Sequence, residues 1–238
     1  MKGIILAGGQ GTRLNPLTKV TNKHLLPVYN RPMIYYPIKT LRNAGIKDIM
    51  IITGKESAGD FMNLLGSGNE FDINITYRLQ DDADGICGAL KLCEDFVNGD
   101  SIAVILGDNI FQDDFKNVIS NFKNGALIFV KGVSNPYRFG VVEFDKDNNV
   151  LSIEEKPKIP KSNFAQTGLY LYDSKVFDYI KMLKPSARGE YEITDLNNIY
   201  LKTGRLKSFI VKGNWADAGT FESLYQANKN VYDKQEKK

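Results

Sequence analysis

The apolar run Ile4-Ile5-Leu6-Ala7 ends in Gly8-Gly9-Gln10-Gly11-Thr12-Arg13, and ten residues further on comes Lys23. This pattern predicts a buried strand that hands over to a backbone cradle for an anion. Glycines let the main chain approach an anion closely and turn N–H groups toward it. Arg13 and Lys23 supply the two cations that a triphosphate demands. A glycine-rich turn alone is also what a tight strand exit looks like. Two common phosphate motifs fail on spacing. The dinucleotide fingerprint G-x-G-x-x-G finds Leu14 where its third glycine belongs, and the P-loop ending Gly-Lys-Ser/Thr is missing, because Gly54-Lys55 runs into Glu56. The cradle is of another kind.

The 238 residues fit one domain, or one domain with two lobes, and suffice for a sizeable core. A net charge of +3, with lysines and arginines spread among acidic residues, argues against nucleic-acid binding. No apolar run nears the roughly 18 residues that span a membrane, and the N-terminal run is too short for a signal peptide. Two cysteines (Cys87 and Cys93) and one histidine (His24) suit a reducing cytoplasm and are too few for a Cys/His zinc site. Spaced six apart on a helix, the cysteines fall on different faces, which argues against a disulfide. The lysine-rich residues 234–238 read as a frayed, solvated terminus.

Strand-like runs at residues 2–6, 48–53, 73–79 and 101–106 alternate with helical spacing at 33–43, 57–65 and 88–96. Near-continuous aliphatic runs are typical of strands covered on both faces, so this half predicts a parallel sheet with right-handed crossovers. Beyond Asn109 the pattern loosens. Strands are expected at 126–133, 141–144, 150–154, 165–172 and 206–211, with a hairpin turn at 145–149. Helices are expected at 113–122, 174–181, 192–202 and 221–232. The whole is a mixed sheet, parallel first and partly antiparallel later.

Ligands of open α/β sheets bind beyond the carboxyl ends of the strands. The glycine turn, Gln80 and Gly107-Asp108-Asn109 all fall at such ends, so they should share one crevice. A carboxylate closing a buried strand is costly unless it is paired or holds a cation. Asp108 is therefore either a helix cap or loop hydrogen bond, or a Mg²⁺ ligand opposite the phosphates, since Mg²⁺ takes one or two carboxylates plus phosphate oxygens. Asp217, in Trp215-Ala216-Asp217-Ala218-Gly219-Thr220, offers a second carboxylate, or else the N-cap of the last helix.

Taken together, these residues resemble the sugar-nucleotidyltransferase family, and within it the branch that couples dTTP to glucose 1-phosphate. The resemblance rests on the glycine turn through Leu14, Lys23-His24-Leu25-Leu26-Pro27, Leu106-Gly107-Asp108-Asn109-Ile110-Phe111 and Glu154-Glu155-Lys156-Pro157. It continues through Thr167-Gly168-Leu169-Tyr170, Arg188-Gly189-Glu190-Tyr191-Glu192-Ile193-Thr194-Asp195 and the Asp217 segment. Uridylyl relatives tend to carry Glu and Met after the lysine, where this chain has His24 and Leu25. The resemblance implies an α/β, three-layer Rossmann-like fold: a mixed, mostly parallel sheet with helices on both faces. It implies one domain over 1–238, with a nucleotide half to about 110 and a sugar-phosphate half beyond. Gly8, Gly11, Thr12 and Arg13 would wrap the triphosphate with Lys23, while Gln80 reads the pyrimidine edge and Gly85 packs against the base. Asp108 and Asp217 would hold Mg²⁺. Gly140, Glu155, Lys156 and Arg188 would hold the sugar phosphate, and Asn109 and Tyr170 lie in motifs lining the sugar site. Arg13, Lys23 and Lys156 would be catalytic. A cytoplasmic homo-oligomer, dimer or tetramer, is implied as well.

The chemistry agrees. A phosphate monoester is mostly a dianion at pH 7, so its attack on the α-phosphorus of dTTP needs no general base or covalent nucleophile. A uridylyl or other pyrimidine transferase shares this mechanism. A non-catalytic regulatory domain of the same fold usually loses cations or metal carboxylates, and all are present here. The chain departs from its relatives at Cys87-Gly88-Ala89, where they usually read Ala-Gln-Ala, and at Phe139, where many have tyrosine. The longer relatives run about 50 residues further and build a regulatory nucleotide site there, so weak feedback is the expectation here. His24 reads as a bystander, Tyr35-Tyr36 as split between core and subunit contact, and Trp215 as a packing residue that aims its loop. Arg188 reads as a phosphate ligand or simply part of a surface turn.

Overall fold

The computed structural model describes residues 1–82 and 84–236. In chain order the first half holds β1 (Lys2–Ala7), β2 (Pro27–Val28), β3 (Arg31–Pro32), α1 (Tyr35–Asn43), β4 (Asp48–Gly54), α2 (Ala58–Leu65), β5 (Asn74–Gln80), α3 (Ile86–Lys91), α4 (Glu94–Val97), β6 (Ile102–Leu106) and β7 (Asn109–Phe111). The second holds α5 (Lys116–Ser120), β8 (Ala126–Gly132), β9 (Gly140–Phe144), β10 (Val150–Glu155), β11 (Phe164–Tyr172), α6 (Val176–Lys181), α7 (Ile193–Lys202), β12 (Leu206–Ile210), β13 (Trp215–Asp217) and α8 (Phe221–Glu236).

Nine strands form one sheet in the order β10-β9-β11-β6-β1-β4-β5, with β8 joining β11 to β12. Strands β6, β1, β4 and β5 run parallel, and β11 pairs antiparallel with β6 and β8. The period-2 alternation of strand side chains explains the layers. Ile4 and Leu6 of β1 enter a core with α3, α6 and α7, while Ile5 and Ala7 enter the opposite core with α1 and α2. Each large aliphatic side chain buried this way stabilises the fold by about 1.5–3 kcal/mol. A third cluster seats Leu224, Ala227 and Val231 of α8 on Leu14, Val28 and Ile110. Leu14 is thus the apolar anchor that ties the glycine turn to the end of the chain.

Strand register sets the site. Leu6 lies opposite Ile52 and Leu106, and Gly54 opposite Gln80, so the carboxyl ends of four strands share one edge. A second, three-residue ladder pairs β13 with β7 and sets Asp217 opposite Asn109. Sequence pattern does not reveal it.

Several boundaries differ from expectation. The helix expected at 88–96 is two helices, because Leu92 and Cys93 bond back three residues, to Ala89 and Leu90, and tighten the chain. Helix α1 starts after residue 33 because the Met33 and Ile34 N–H groups donate to Leu26 and His24. Helix α5 starts late because Asp114 accepts from the Lys116 N–H (2.8 Å) and Asp113 from that of Gly213 (2.8 Å). Helix α8 runs on to Glu236, and Lys234 donates to the Gln112 carbonyl at 2.9 Å, so the tail is ordered that far. Lys237 and Lys238, also read as a solvated end, lie outside the described residues.

Cys87 and Cys93 are free and buried, and both enter one core cluster rather than different faces. Burial pushes both thiols up, Cys93 to about 12. A thiol without thiolate character is inert. Neither cysteine should react with Ellman's reagent at pH 8 until the protein is unfolded. Labelling of either in the native protein would contradict this burial.

Candidate active site

The glycine turn is built by space as much as by dihedral freedom. Gly11 has φ +67°, and a Cβ there would stand 2.9 Å from both the Lys23 Cβ and the Thr18 Cγ2. Past it, Thr12–Leu14 forms a single 3-10 turn that buries Leu14 and leaves Thr12 and Arg13 exposed. Lys23 reaches the far side of the turn, with its Cε 3.4 Å from where a Cβ on Gly9 would be.

Lys23 is paired with Asp108, whose side chain is 8% exposed. Burial works against the Asp108 charge, but the adjacent Lys23 ammonium holds the carboxyl well below the usual range. The Ala218 N–H donates to the Asp108 carbonyl at 2.9 Å, which fixes the Asp217 loop against the β6–β7 turn. Burial, and then the Asp108 charge, push the Asp217 carboxyl up to about 6. Arg13 closes the ring: its Nη2 and the Asp217 Oδ1 lie 2.9 and 3.1 Å from the place of a Cβ on Gly219. Asp217 is therefore not the cap of α8, where Thr220 Oγ1 instead accepts from the Ser223 N–H at 3.3 Å. Two carboxylates that repel each other beside the Arg13 and Lys23 cations fit a divalent cation. Among the described residues no group of three or more His, Cys, Asp or Glu could hold one, and Mg²⁺ is commonly held by one or two carboxylates with phosphate oxygens and waters.

A cavity of about 270 Å³ is lined by Leu6, Gly8, Lys23, Gln80, Gly85 and Asp108. A wider cleft of about 510 Å³, lined by Thr12, Lys19 and Lys55, adjoins it across Gly8 and Gln80. Together they have the scale of a nucleotide site. Gly85 has φ +95°, and a Cβ there would press on the Tyr191 backbone at 2.9 Å. The Gln80 Nε2 donates to Asp84 Oδ1 at 3.0 Å.

The residues expected on the sugar side meet around Glu155. Its Oε1 lies 3.6 Å from Lys156 Nζ and 3.7 Å from Arg188 Nη2, and its Oε2 accepts from Thr194 Oγ1 at 2.6 Å. Lys156 has φ +45°, rare for a residue with a Cβ. Gly140 leaves room for the Gln166 amide, which donates to Thr194 at 3.1 Å and accepts from Asn197 at 2.6 Å. This buried relay was not foreseen, because it joins residues far apart in sequence. Arg188 lies in an exposed turn and bonds Glu192 at 2.8 Å, with Glu190 at 3.3 Å. Glu190 also lines the cavity of about 270 Å³, so the Arg188 turn and the glycine-turn crevice touch there.

Two expected sugar-site residues lie beneath the site rather than at its wall. Tyr170 is 3% exposed and belongs to the core, and burial raises its hydroxyl. Asn109 is 2% exposed, and its Oδ1 accepts from the Gly168 N–H (2.8 Å) and the Trp215 Nε1–H (2.7 Å). Trp215 thus aims its loop through a hydrogen bond, and its ring packs on Phe139 at 5.4 Å. His24 is 2% exposed, and burial pushes its imidazole down to about 3, so it is neutral at working pH.

A family model described as nucleotidyl transferase matches residues 2–234. The chain is 49% identical over 233 residues to a glucose-1-phosphate thymidylyltransferase of Neisseria meningitidis, covering 95% of this chain and 81% of that one. The Mycolicibacterium smegmatis protein of the same name is 48% identical, with 96% and 81% covered. A Bacillus anthracis structure provisionally described as this enzyme, in complex with a sucrose, superposes with a TM-score of 0.93 at 58% identity, over 98% of this chain and 96% of that one. A UDP-glucose pyrophosphorylase complexed with UDP-glucose gives a TM-score of 0.86 at 25% identity, with 98% of each chain covered. The match along nearly its whole length, on the fold and cradle described above, places this chain in the nucleotidyl transferase family.

Proposed function

We propose that the chain transfers a thymidylyl group from dTTP to glucose 1-phosphate, giving dTDP-glucose and pyrophosphate. One observation carries the reading. The anion cradle and a facing carboxylate pair meet at the strand ends of a chain 49% identical to a glucose-1-phosphate thymidylyltransferase. Residues Gly8, Gly11, Thr12 and Arg13 wrap the triphosphate, and Lys23 neutralises it. Gln80 meets the base edge while Gly85 admits the base. Glu155 takes sugar hydroxyls beside Gly140, and Lys156 and Arg188 take the sugar phosphate. Asn109 and Tyr170 support the sugar site from below.

An oxygen of the glucose 1-phosphate dianion attacks the α-phosphorus, and the bond to pyrophosphate breaks. No residue needs to remove a proton, in keeping with a neutral, buried His24. The protein's work is to bring two polyanions together and to stabilise charge leaving on pyrophosphate, which Arg13, Lys23 and Lys156 do from fixed positions. Asp108 and Asp217 would hold the divalent cation, taken as Mg²⁺, which supplies further neutralisation of phosphate charge when bound. The nucleotide half extends to about residue 110 and the sugar-phosphate half follows, with Asp217 crossing back to the first. A cytoplasmic location and a dimeric or tetrameric assembly accompany this reading.

Direct transfer fixes the stereochemistry. With a chiral α-thio analogue of dTTP, the product should show inversion at phosphorus, and chelation of divalent cations should abolish turnover. Retention would mean a covalent nucleotidyl-enzyme and would contradict the mechanism.

A further inference from the structure

The Gln80 amide has a fixed partner. Its Nε2 donates to Asp84 Oδ1 at 3.0 Å, while its Oε1 lies 2.7 Å from where a Cβ on Gly8 would stand. Asp84 is itself held by the main chain, its N–H donating to the Asp82 carbonyl (3.0 Å) and its carbonyl accepting from the Tyr191 N–H (2.8 Å). The Asp84 carboxylate lies directly over Gly88, and any Cβ at 88 would fall on its carboxylate atoms. The missing side chain at 88 is what lets Asp84 reach Gln80.

We propose that Asp84 is a positioning residue that locks the Gln80 amide in one orientation and so makes the site select thymine or uracil over cytosine. The proposal rests on the reading that Gln80 meets the base. A thymine or uracil edge presents an N3–H donor beside a carbonyl acceptor. A cytosine edge presents an N3 acceptor beside an amino donor. An unrestrained amide reads either edge by turning over, because its two ends have nearly the same shape. A carboxylate only accepts, so it tolerates only the amide nitrogen. Turned over for cytosine, Gln80 would set its carbonyl oxygen against the Asp84 carboxylate with no proton between them, a repulsive contact that works against the wrong base. Gly88 is the space that permits the lock.

The test is the ratio of kcat/KM for dTTP to that for dCTP, with glucose 1-phosphate as acceptor. Where dCTP turnover falls below detection, its Ki against dTTP replaces the rate. In Asp84→Asn, whose amide can accept or donate, the ratio should fall by about tenfold or more, chiefly through improved use of dCTP. Gly88→Ala keeps the carboxylate but displaces it, and should lower the ratio in the same direction. A role in stability alone would depress both nucleotides together and leave the ratio unmoved. An unchanged ratio in both variants, with discrimination lost in Gln80→Ala, overturns the role of Asp84 and leaves Gln80 as the reader of the base. A ratio unchanged in all three overturns the reading of Gln80, and the proposal with it.

Discussion

Asp108→Asn is expected to lower turnover about a thousandfold in purified, folded protein, at the upper end of what one preorganised electrostatic group contributes. Asparagine keeps the size of the side chain and can still meet the Asn109 amide, which donates to Asp108 Oδ1 at 3.0 Å. What it removes is charge. The variant leaves the Lys23 ammonium without its carboxylate and removes the charge of one of the two carboxylates that the β6–β7 turn and the Asp217 loop bring together. Because the Asp108 charge helps hold the Asp217 carboxyl near 6, that carboxyl should titrate lower in the variant. Steady-state kinetics read the first effect and carboxyl NMR the second. Near-normal turnover in folded Asp108→Asn would remove Asp108 from the machinery.

Asp173→Ala is expected to cost about 3 kcal/mol or more of stability, the scale for breaking a buried charged pair. Asp173 is 7% exposed and sits at the edge of the sheet opposite the site, since Tyr172 pairs with Ile102 at the start of β6. Its carboxylate accepts from the Gly125 N–H (2.7 Å), the Tyr200 hydroxyl (2.9 Å), the Arg205 guanidinium and, more weakly, the Lys175 N–H (3.2 Å). Alanine leaves the Gly125, Tyr200 and Arg205 donors, buried or half-buried, without this partner. For a chain of this length the loss corresponds to a fall in Tm of roughly 10 °C. Burial works against the Asp173 charge, but these donors outweigh it and hold the carboxyl below the usual range. A depressed folded-state pKa stabilises fully above the unfolded value, near 4, and the contribution is lost as pH falls through the folded value. Wild type should therefore lose part of its margin over the variant in acid. Thermal melts at pH 7 and at pH 3 check both statements, and a Tm within a degree or two of wild type at pH 7 would contradict them.

The parallel half of the sheet was legible because its strands are nearly continuous aliphatic runs, which few other structures accommodate. Gly8, Gln80 and Asp108 were legible as companions because strand ends of a parallel sheet share an edge, and Lys23 as a cation that follows the glycine turn. Asp217 was expected beside Asp108 only through the motif that carries it, and the ladder that brings its loop there was not legible, since β7 and β13 are three residues each and too short to show a period. The helix expected at 88–96 failed because its break comes from two short-range hydrogen bonds rather than from a proline or glycine. Tyr170 and Asn109 were named from the motifs that carry them, and a motif does not say which side chains face the solvent. The Glu155–Thr194–Gln166–Asn197 relay leaves no local signature, because hydrogen bonds between distant residues impose no spacing on either segment. The Gln80–Asp84 contact is local, but it depends on a loop conformation that residue spacing does not specify.

Pyrophosphate release is the measurement that tests the reaction most directly, with Mg²⁺ and glucose 1-phosphate against dTTP, UTP, dCTP, ATP and GTP in turn. dTTP and UTP differ by the 5-methyl group and the ribose 2′-hydroxyl, and one methyl group in a packed site alone separates substrates by about tenfold or more. Release with dTTP should therefore exceed that with UTP by at least this factor, and the purine nucleotides should be silent. Equal rates with dTTP and UTP would contradict a thymidylyl transferase and leave a relaxed pyrimidine enzyme. Folded protein that releases no pyrophosphate with any of them would contradict the reaction itself.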